Sequence, residues 1–155
     1  MRTATPYKDL APPAFQGLMQ IWRHTRACGL ETSLLHLVEL RASQLNGCAY
    51  CMDMHATEAL QAGEAPRRLA TVAGWRDAPF FSPRERAALE WSEALTELGR
   101  HAVGDALYAK VREAFTEDEM VNLTVAITLI NAWNRLGVAF QLDLPGMDAA
   151  LGATP

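Results

Sequence analysis

The segment TEDEMVNLTVAITLINAWNRLGVAF, residues 116–140, limits the possible folds more than any other part of the chain. Thr116, followed three places later by Glu119, reads as a capping box, in which each side chain bonds the other's backbone N–H and sets a helix start. The residues that follow are apolar on almost every side, the pattern of a helix buried all round. Its β-branched residues, among them Val121, Val125 and Ile127, also suit a strand. Length decides for helix, because strands rarely exceed about ten residues. Such a helix needs apolar partners on all its faces.

The rest of the chain supplies them as further helices. Pro12 and Pro13 lead into Phe15, Leu18, Met19 and Trp22 at helical spacing, with Gly29 as the stop. Thr32 or Ser33 can cap a helix through Leu34, Leu37, Val38 and Leu45 that ends at Asn46-Gly47. A third runs from near Cys48 to Gly63, and Pro66 opens a short fourth ending near Gly74. SPRE, Ser82 to Glu85, is a second capping box, whose helix carries Ala88, Trp91, Leu95 and Leu98 towards Gly99. Asp105 starts another, with Leu107, Val111 and Phe115. No alternating strand pattern occurs, so the sequence predicts an all-α fold of about seven helices. It forms one domain over 1–155, with an N-terminal arm over about 1–11 and a loose tail over about 145–155. So many apolar faces exceed what a monomer of this size easily covers, so a homo-oligomer is expected.

Composition narrows the partners. A net charge of −4, with positive residues scattered, excludes the tracking of a nucleic-acid backbone. No stretch is expected to reach the roughly 20 apolar residues of a membrane span. The opening MRTATPYKDLAPP lacks the apolar core of a signal peptide. The expected setting is the cytoplasm, with no membrane partner. Three cysteines in that reducing compartment are not expected to form a permanent disulfide framework.

Two of the three lie together in NGCAYCMDMHA, residues 46–56. Met52 rather than histidine follows Cys51, so covalent haem attachment fails. A thioredoxin-type site needs a strand–helix setting, and no strand is expected. Structural zinc usually takes four ligands in two spaced pairs, whereas Cys48, Cys51 and His55 are three, with no second pair. His36 and Glu39 can lie close together in space, and three ligands plus water is a permitted catalytic zinc site. One reading is therefore a metal-binding or redox-sensing protein that uses Cys48, Cys51 and His55 without turnover. The other is a working redox couple. Cys48 follows a helix breaker and stands at a helix N-terminus, where unpaired N–H groups and the macrodipole stabilise a thiolate. Cys51 is one turn on, close enough for a disulfide if the first turn bends to suit it. His55 lies four residues beyond Cys51 on the same face, placed to exchange a proton with a thiol. The helix start favours Cys48 as the more acidic thiol, while the nearness of His55 favours proton removal from Cys51.

LVELRASQLNGCAYCMDMHATEAL, residues 37–60, resembles the signature of the alkylhydroperoxidase AhpD-like branch of the carboxymuconolactone decarboxylase family. The shared residues are Ser43, Asn46, Gly47, Cys48, Tyr50, Cys51 and His55. Trp75, ERAALEWSEALT at 85–96 and INAWNRL at 130–136 are similar to one bacterial subgroup of that family. The resemblance implies an all-helical fold assembled as trimers or hexamers. It also implies a dithiol that reduces organic hydroperoxide or hydrogen peroxide and is re-reduced by an external dithiol, without cofactor or metal. In that scheme Cys51 attacks the peroxide, Cys48 resolves the sulfenic acid into a disulfide, and His55 moves protons. Decarboxylating members lack the cysteine pair, which argues against that activity here. The better-known peroxidases carry a glutamate twelve positions before the first cysteine; this chain has His36 there, with Glu39 one turn along. Either can face the cysteines, since i and i+3 share a helix face. Glu39 is the expected relay partner, because a carboxylate both fixes the His55 tautomer and holds charge. The plainer expectation for Glu39 is a solvated charge paired with Arg41 or a neighbour.

Other conspicuous residues carry plainer expectations. Cys28 reads as a small core residue. Asn131, Asn134 and Arg135 stand out in an apolar helix and must be paired, as glue between helices or subunits or at the edge of the site. Trp22, Trp75, Trp91 and Trp133 belong to core or interface rather than to a cofactor box.

Overall fold

The computed structural model describes residues 2–100 and 103–144, and every regular element among them is helical. In order these are α1 (Tyr7–Leu10), α2 (Pro12–Ala27), α3 (Thr32–Asn46), α4 (Ala49–Gln61) and α5 (Pro66–Thr71). A 3₁₀ turn (Val72–Gly74) follows, then α6 (Pro83–Thr96), α7 (Asp105–Ala114) and α8 (Glu117–Phe140). The extra helix beyond the expected set is α1, a single turn within what the sequence suggests is an arm. The expected loose tail lies outside the described residues.

Both capping boxes form. Ser82 Oγ accepts the Glu85 N–H at 3.2 Å while the Glu85 carboxylate takes the Ser82 N–H at 2.7 Å. Thr116 and Glu119 do the same at 3.2 and 2.8 Å. The start of α3 differs from expectation. Glu31 is its N-cap residue, Thr32 and Ser33 lie inside the helix, and no side chain makes the cap bond. The Glu31 carboxylate instead pairs with Arg84 at 2.9 Å.

α3 is buried almost all round. In α3, Leu34, Leu35 and Val38 face one core with Trp91, Val111, Phe115, Leu123 and Ile127. Leu37 and Leu40 face a second with Ala59, Leu69, Val72, Trp75 and Leu89. Truncating such a leucine to alanine typically costs about 2–5 kcal/mol. α8 packs on α2, α3, α4, α6 and α7, yet Val121, Thr128, Arg135 and Val138 leave one side of it exposed, which corrects the expectation of a helix buried on every side. By length and composition alone α8 is apolar enough to cross a membrane, which corrects the expectation that no stretch approaches that size. Helices at the core of globular folds meet the same criterion. Two of its polar residues, Asn131 and Asn134, are buried and paired.

Candidate active site

The site begins where α3 reverses into α4. Gly47 adopts φ 67°, the left-handed conformation that glycine enters without a Cβ penalty. Its N–H closes on the Gln44 carbonyl at 3.3 Å and the Cys48 N–H on the Ser43 carbonyl at 3.0 Å, which ends α3. Cys48 is then the N-cap residue of α4, and its sulfur accepts the Cys51 backbone N–H at 3.4 Å. An N-cap position favours an anionic acceptor because the first N–H groups have no helical partner. Both cysteines are buried and are free thiols.

Those contacts divide the pair. Hydrogen bonding from the Cys51 thiol, helped by the Cys51 N–H, the Asn134 amide and the charge of His55, lowers the Cys48 pKa to about 6 against the effect of burial. The Cys51 thiol is pushed strongly up, first by holding its proton toward Cys48, then by burial and the neighbouring charge. Two sulfurs this close titrate as a pair, so one proton is shared between them near neutral pH. Cys48 carries the charge and Cys51 the proton.

α8 closes the site from behind. Asn46 donates to the side-chain carbonyls of Asn134 at 2.9 Å and Asn131 at 3.0 Å, and Asn134 donates to Ser43 Oγ at 3.0 Å. Asn131 also donates to Thr96 Oγ1, so these asparagines hold α8 to α3 and α6, as expected of glue between helices. Gly137 leaves room for the sulfurs: a Cβ there would stand 2.7 Å from Cys48 Sγ and 3.6 Å from Cys51 Sγ.

On the next turn of α4, His55 is buried against Glu39 of α3. Glu39 Oε2 lies 3.4 Å from His55 Nδ1 and 3.9 Å from His36 Nδ1, and Glu58 Oε2 lies 3.5 and 3.8 Å from the same atoms. These pairings run 36 with 58 and 39 with 55, so α3 and α4 are antiparallel. Glu39 is 3 % exposed, and both its oxygens accept from Arg26 at 2.8 Å. The solvated pairing with Arg41 is therefore overturned; Arg41 bonds Glu93 instead, at 2.7 Å. Burial lowers the His36 pKa, and His55 beside it lowers that of Glu58. Among the described residues, the group gathered at metal-ligand spacing is His36, Glu39 and His55, all within 4.8 Å. The cysteines are not part of it, which moves any metal reading away from Cys48 and Cys51.

A cavity of about 270 Å³ opens over these groups. Cys51, His55, Glu39 and Glu58 form its polar side; Tyr7, Phe15, Trp22, Met54, Ile130 and Trp133 form its apolar walls. Cys48 does not line it. Tyr7 of α1 stacks on Phe140 and lies beside Phe15, so the N-terminal turn is a wall of the cavity.

Comparisons with known proteins identify the family to which this helical chain belongs. The sequence profile of the carboxymuconolactone decarboxylase family matches residues 12–94. The chain belongs to this family. The uncharacterized protein YdfG of Bacillus subtilis is 37% identical over 139 residues, which span 90% of this chain and 95% of YdfG. A solved Agrobacterium tumefaciens protein of unknown function, provisionally assigned as an AhpD antioxidant defence protein, superposes with TM-score 0.88 at 36% identity. That match covers 92% of this chain and 98% of the other. A peroxidase-related protein from Ralstonia eutropha with an alkylhydroperoxidase AhpD core shares the fold, at TM-score 0.77 and 19% identity over 96% of this chain and 80% of that one. The family member described here is AhpD-like.

In this AhpD-like fold Cys48, Cys51, His55, Glu39 and His36 come together, as their spacing suggests. Cys28 lies apart, its thiol donating to the Thr25 carbonyl at 3.2 Å. Three contributors escape a reading of the sequence. Glu58 looks like any exposed helix acid, Arg26 sits on a different helix from its partner, and Gly137 shows its role only where α8 meets the sulfurs. The H-x-x-E spacing of both His36–Glu39 and His55–Glu58 is the signal that points to Glu58.

Proposed function

We propose that this protein is a thiol-dependent hydroperoxide reductase acting on organic hydroperoxides in the cytoplasm. The observation that carries the reading is a buried cysteine pair joined through a helix start, of which Cys51 faces a mainly apolar cavity and Cys48 lies behind it. The lowered pKa of Cys48 favours its thiolate near neutral pH, where an ordinary thiol is mostly protonated. The apolar walls suit the alkyl or aryl body of an organic hydroperoxide better than hydrogen peroxide.

Cys51 is the attacking residue because it faces the cavity, and Cys48 is the acceptor of its proton. Transfer of the shared proton to Cys48 makes the Cys51 thiolate. It attacks the terminal peroxide oxygen; the O–O bond breaks, giving Cys51 sulfenic acid and an alkoxide. The alkoxide takes the proton held at Cys48 and leaves as an alcohol. The Cys48 thiolate then attacks the sulfenic sulfur, forming the 48–51 disulfide and expelling hydroxide, which His55 protonates to water. Glu39 orients His55 and supports its charge. An external dithiol returns the disulfide to two thiols. A steady-state assay with cumene hydroperoxide and dithiothreitol tests this: turnover that disappears in Cys51→Ser supports it, and absence of turnover in the wild type contradicts it.

A further inference from the structure

We propose that His36, Glu39 and His55, joined by Glu58, bind one divalent transition-metal ion of the zinc class. The chain carries the same four-residue pattern twice, HLVE at 36–39 and HATE at 55–58. Each pattern places its histidine and glutamate on one helix face, and the antiparallel packing of α3 on α4 turns the two faces together. Helix pairs that each present a histidine and a carboxylate three residues apart are an established way to build a metal site inside a helical fold.

The distances fit such an ion. Each Glu oxygen lies 3.4–3.9 Å from the two Nδ1 atoms. Ligands about 2.0–2.1 Å from a tetrahedral zinc stand about 3.4 Å from one another, so the nitrogen–oxygen pairs are near their bound spacing, while Glu58, outside the group whose donor atoms all lie within 4.8 Å, swings in to complete the shell. Two imidazoles with two carboxylates suit zinc better than magnesium or calcium, which prefer all-oxygen shells.

A second observation points the same way. His55 is 3 % exposed, yet neither of its ring nitrogens makes a hydrogen bond among the described residues, nor does Nδ1 of His36. Buried polar atoms are ordinarily paired. Here two nitrogen lone pairs and two carboxylate oxygens converge, and a cation between them satisfies all four. Arg26 grips Glu39 from the outer side, as second-shell donors commonly grip a ligating carboxylate. The ion would also take His55 and Glu39 out of the proton relay, a consequence that rests on the peroxide-reducing reading; the binding itself does not.

The test is calorimetric titration of the metal-stripped full chain with Zn²⁺, repeated on Cys48→Ser/Cys51→Ser, His36→Ala and Glu58→Gln, with circular dichroism to verify folding. The expected result is one Zn²⁺ per chain in the wild type and in the double cysteine variant with similar affinity. At least one of His36→Ala and Glu58→Gln, each read only if folded, should bind at least about tenfold more weakly. Absence of stoichiometric binding at micromolar Zn²⁺ overturns the proposal. So does loss of binding with the cysteines, or wild-type affinity in every folded ligand variant. None of these readouts uses peroxide turnover, so the assignment stands or falls apart from the enzymatic one.

Discussion

Cys48 and Cys51 are joined through the start of a helix: the Cys48 sulfur accepts the Cys51 backbone N–H at 3.4 Å and thereby serves as the N-cap of α4. Sequence spacing places the two thiols one turn apart. Hydrogen bonding from the Cys51 thiol to Cys48, aided by the cap bond, makes them chemically unequal. The resting charge and the cavity-facing sulfur consequently belong to different residues.

The first prediction concerns that charge. Cys48 has a pKa lowered to about 6, so its thiolate fraction falls as pH drops through 6 and is nearly complete above 7. Thiolate absorbance near 240 nm should show one group per chain titrating near pH 6. Cys51, whose pKa is raised, should remain protonated through the range in which ordinary thiols ionise. Asn134→Ala removes one of the stabilising hydrogen bonds and should move the lower titration upward. Two equal titrations near pH 8.5 would refute the asymmetry.

Gly137→Ala should damage both stability and chemistry. The added Cβ would stand 2.7 Å from Cys48 Sγ, a contact that must be relieved by moving α8 or the sulfur. Overpacking of this kind typically costs about 1–3 kcal/mol. Thermal melting should fall accordingly, and disulfide formation should slow. An unchanged melting temperature together with an unchanged oxidation rate would show that the sulfurs have more room than the structure provides.

Much of this architecture was legible in the sequence, for identifiable reasons. Ser82–Glu85 and Thr116–Glu119 are local motifs whose partners lie three residues apart, so α6 and α8 start where the spacing predicts. The Asn46-Gly47 break likewise carries its own explanation in a left-handed glycine. What was not legible depends on distance in the chain. The Arg26–Glu39 pair joins α2 to α3, Glu58 gains meaning only against His36, and Gly137 only against Cys48, so each needs the packed helices. The membrane expectation failed because α8, despite Asn131, Asn134 and Arg135, is long and apolar enough on average to cross a membrane.

Glu39→Gln should slow peroxide reduction by about 10²–10⁴-fold if the carboxylate supports proton transfer through His55. Its Oε2 stands 3.4 Å from His55 Nδ1 and 3.9 Å from His36 Nδ1, and the ring centroids of His36 and His55 are 6.5 Å apart. His36→Ala should therefore cost less. Near-wild-type rates in Glu39→Gln, combined with a large loss in His36→Ala, would move the relay to His36. Folding must be checked in parallel, since Glu39→Gln also weakens the bond to Arg26.

The chain is expected to assemble as a homo-oligomer, a trimer or hexamer. Val121 and Val138 on α8, and Ile21 and Trp22 on α2, are apolar side chains left exposed on a single chain. Light scattering at micromolar concentration should give a mass that is a multiple of the 17.0 kDa protomer. A value at the protomer mass would refute this expectation.

The central claim is that Cys48 and Cys51 act together on a peroxide. The most direct measurement is mass spectrometry of the fully reduced protein after one equivalent of cumene hydroperoxide, with peptide mapping of the product. The predicted result is loss of two hydrogens, a disulfide mapped to Cys48 and Cys51, an unmodified Cys28, and conversion of the peroxide to its alcohol. Both thiols surviving with the peroxide unconsumed, or a bridge that includes Cys28, would contradict the account.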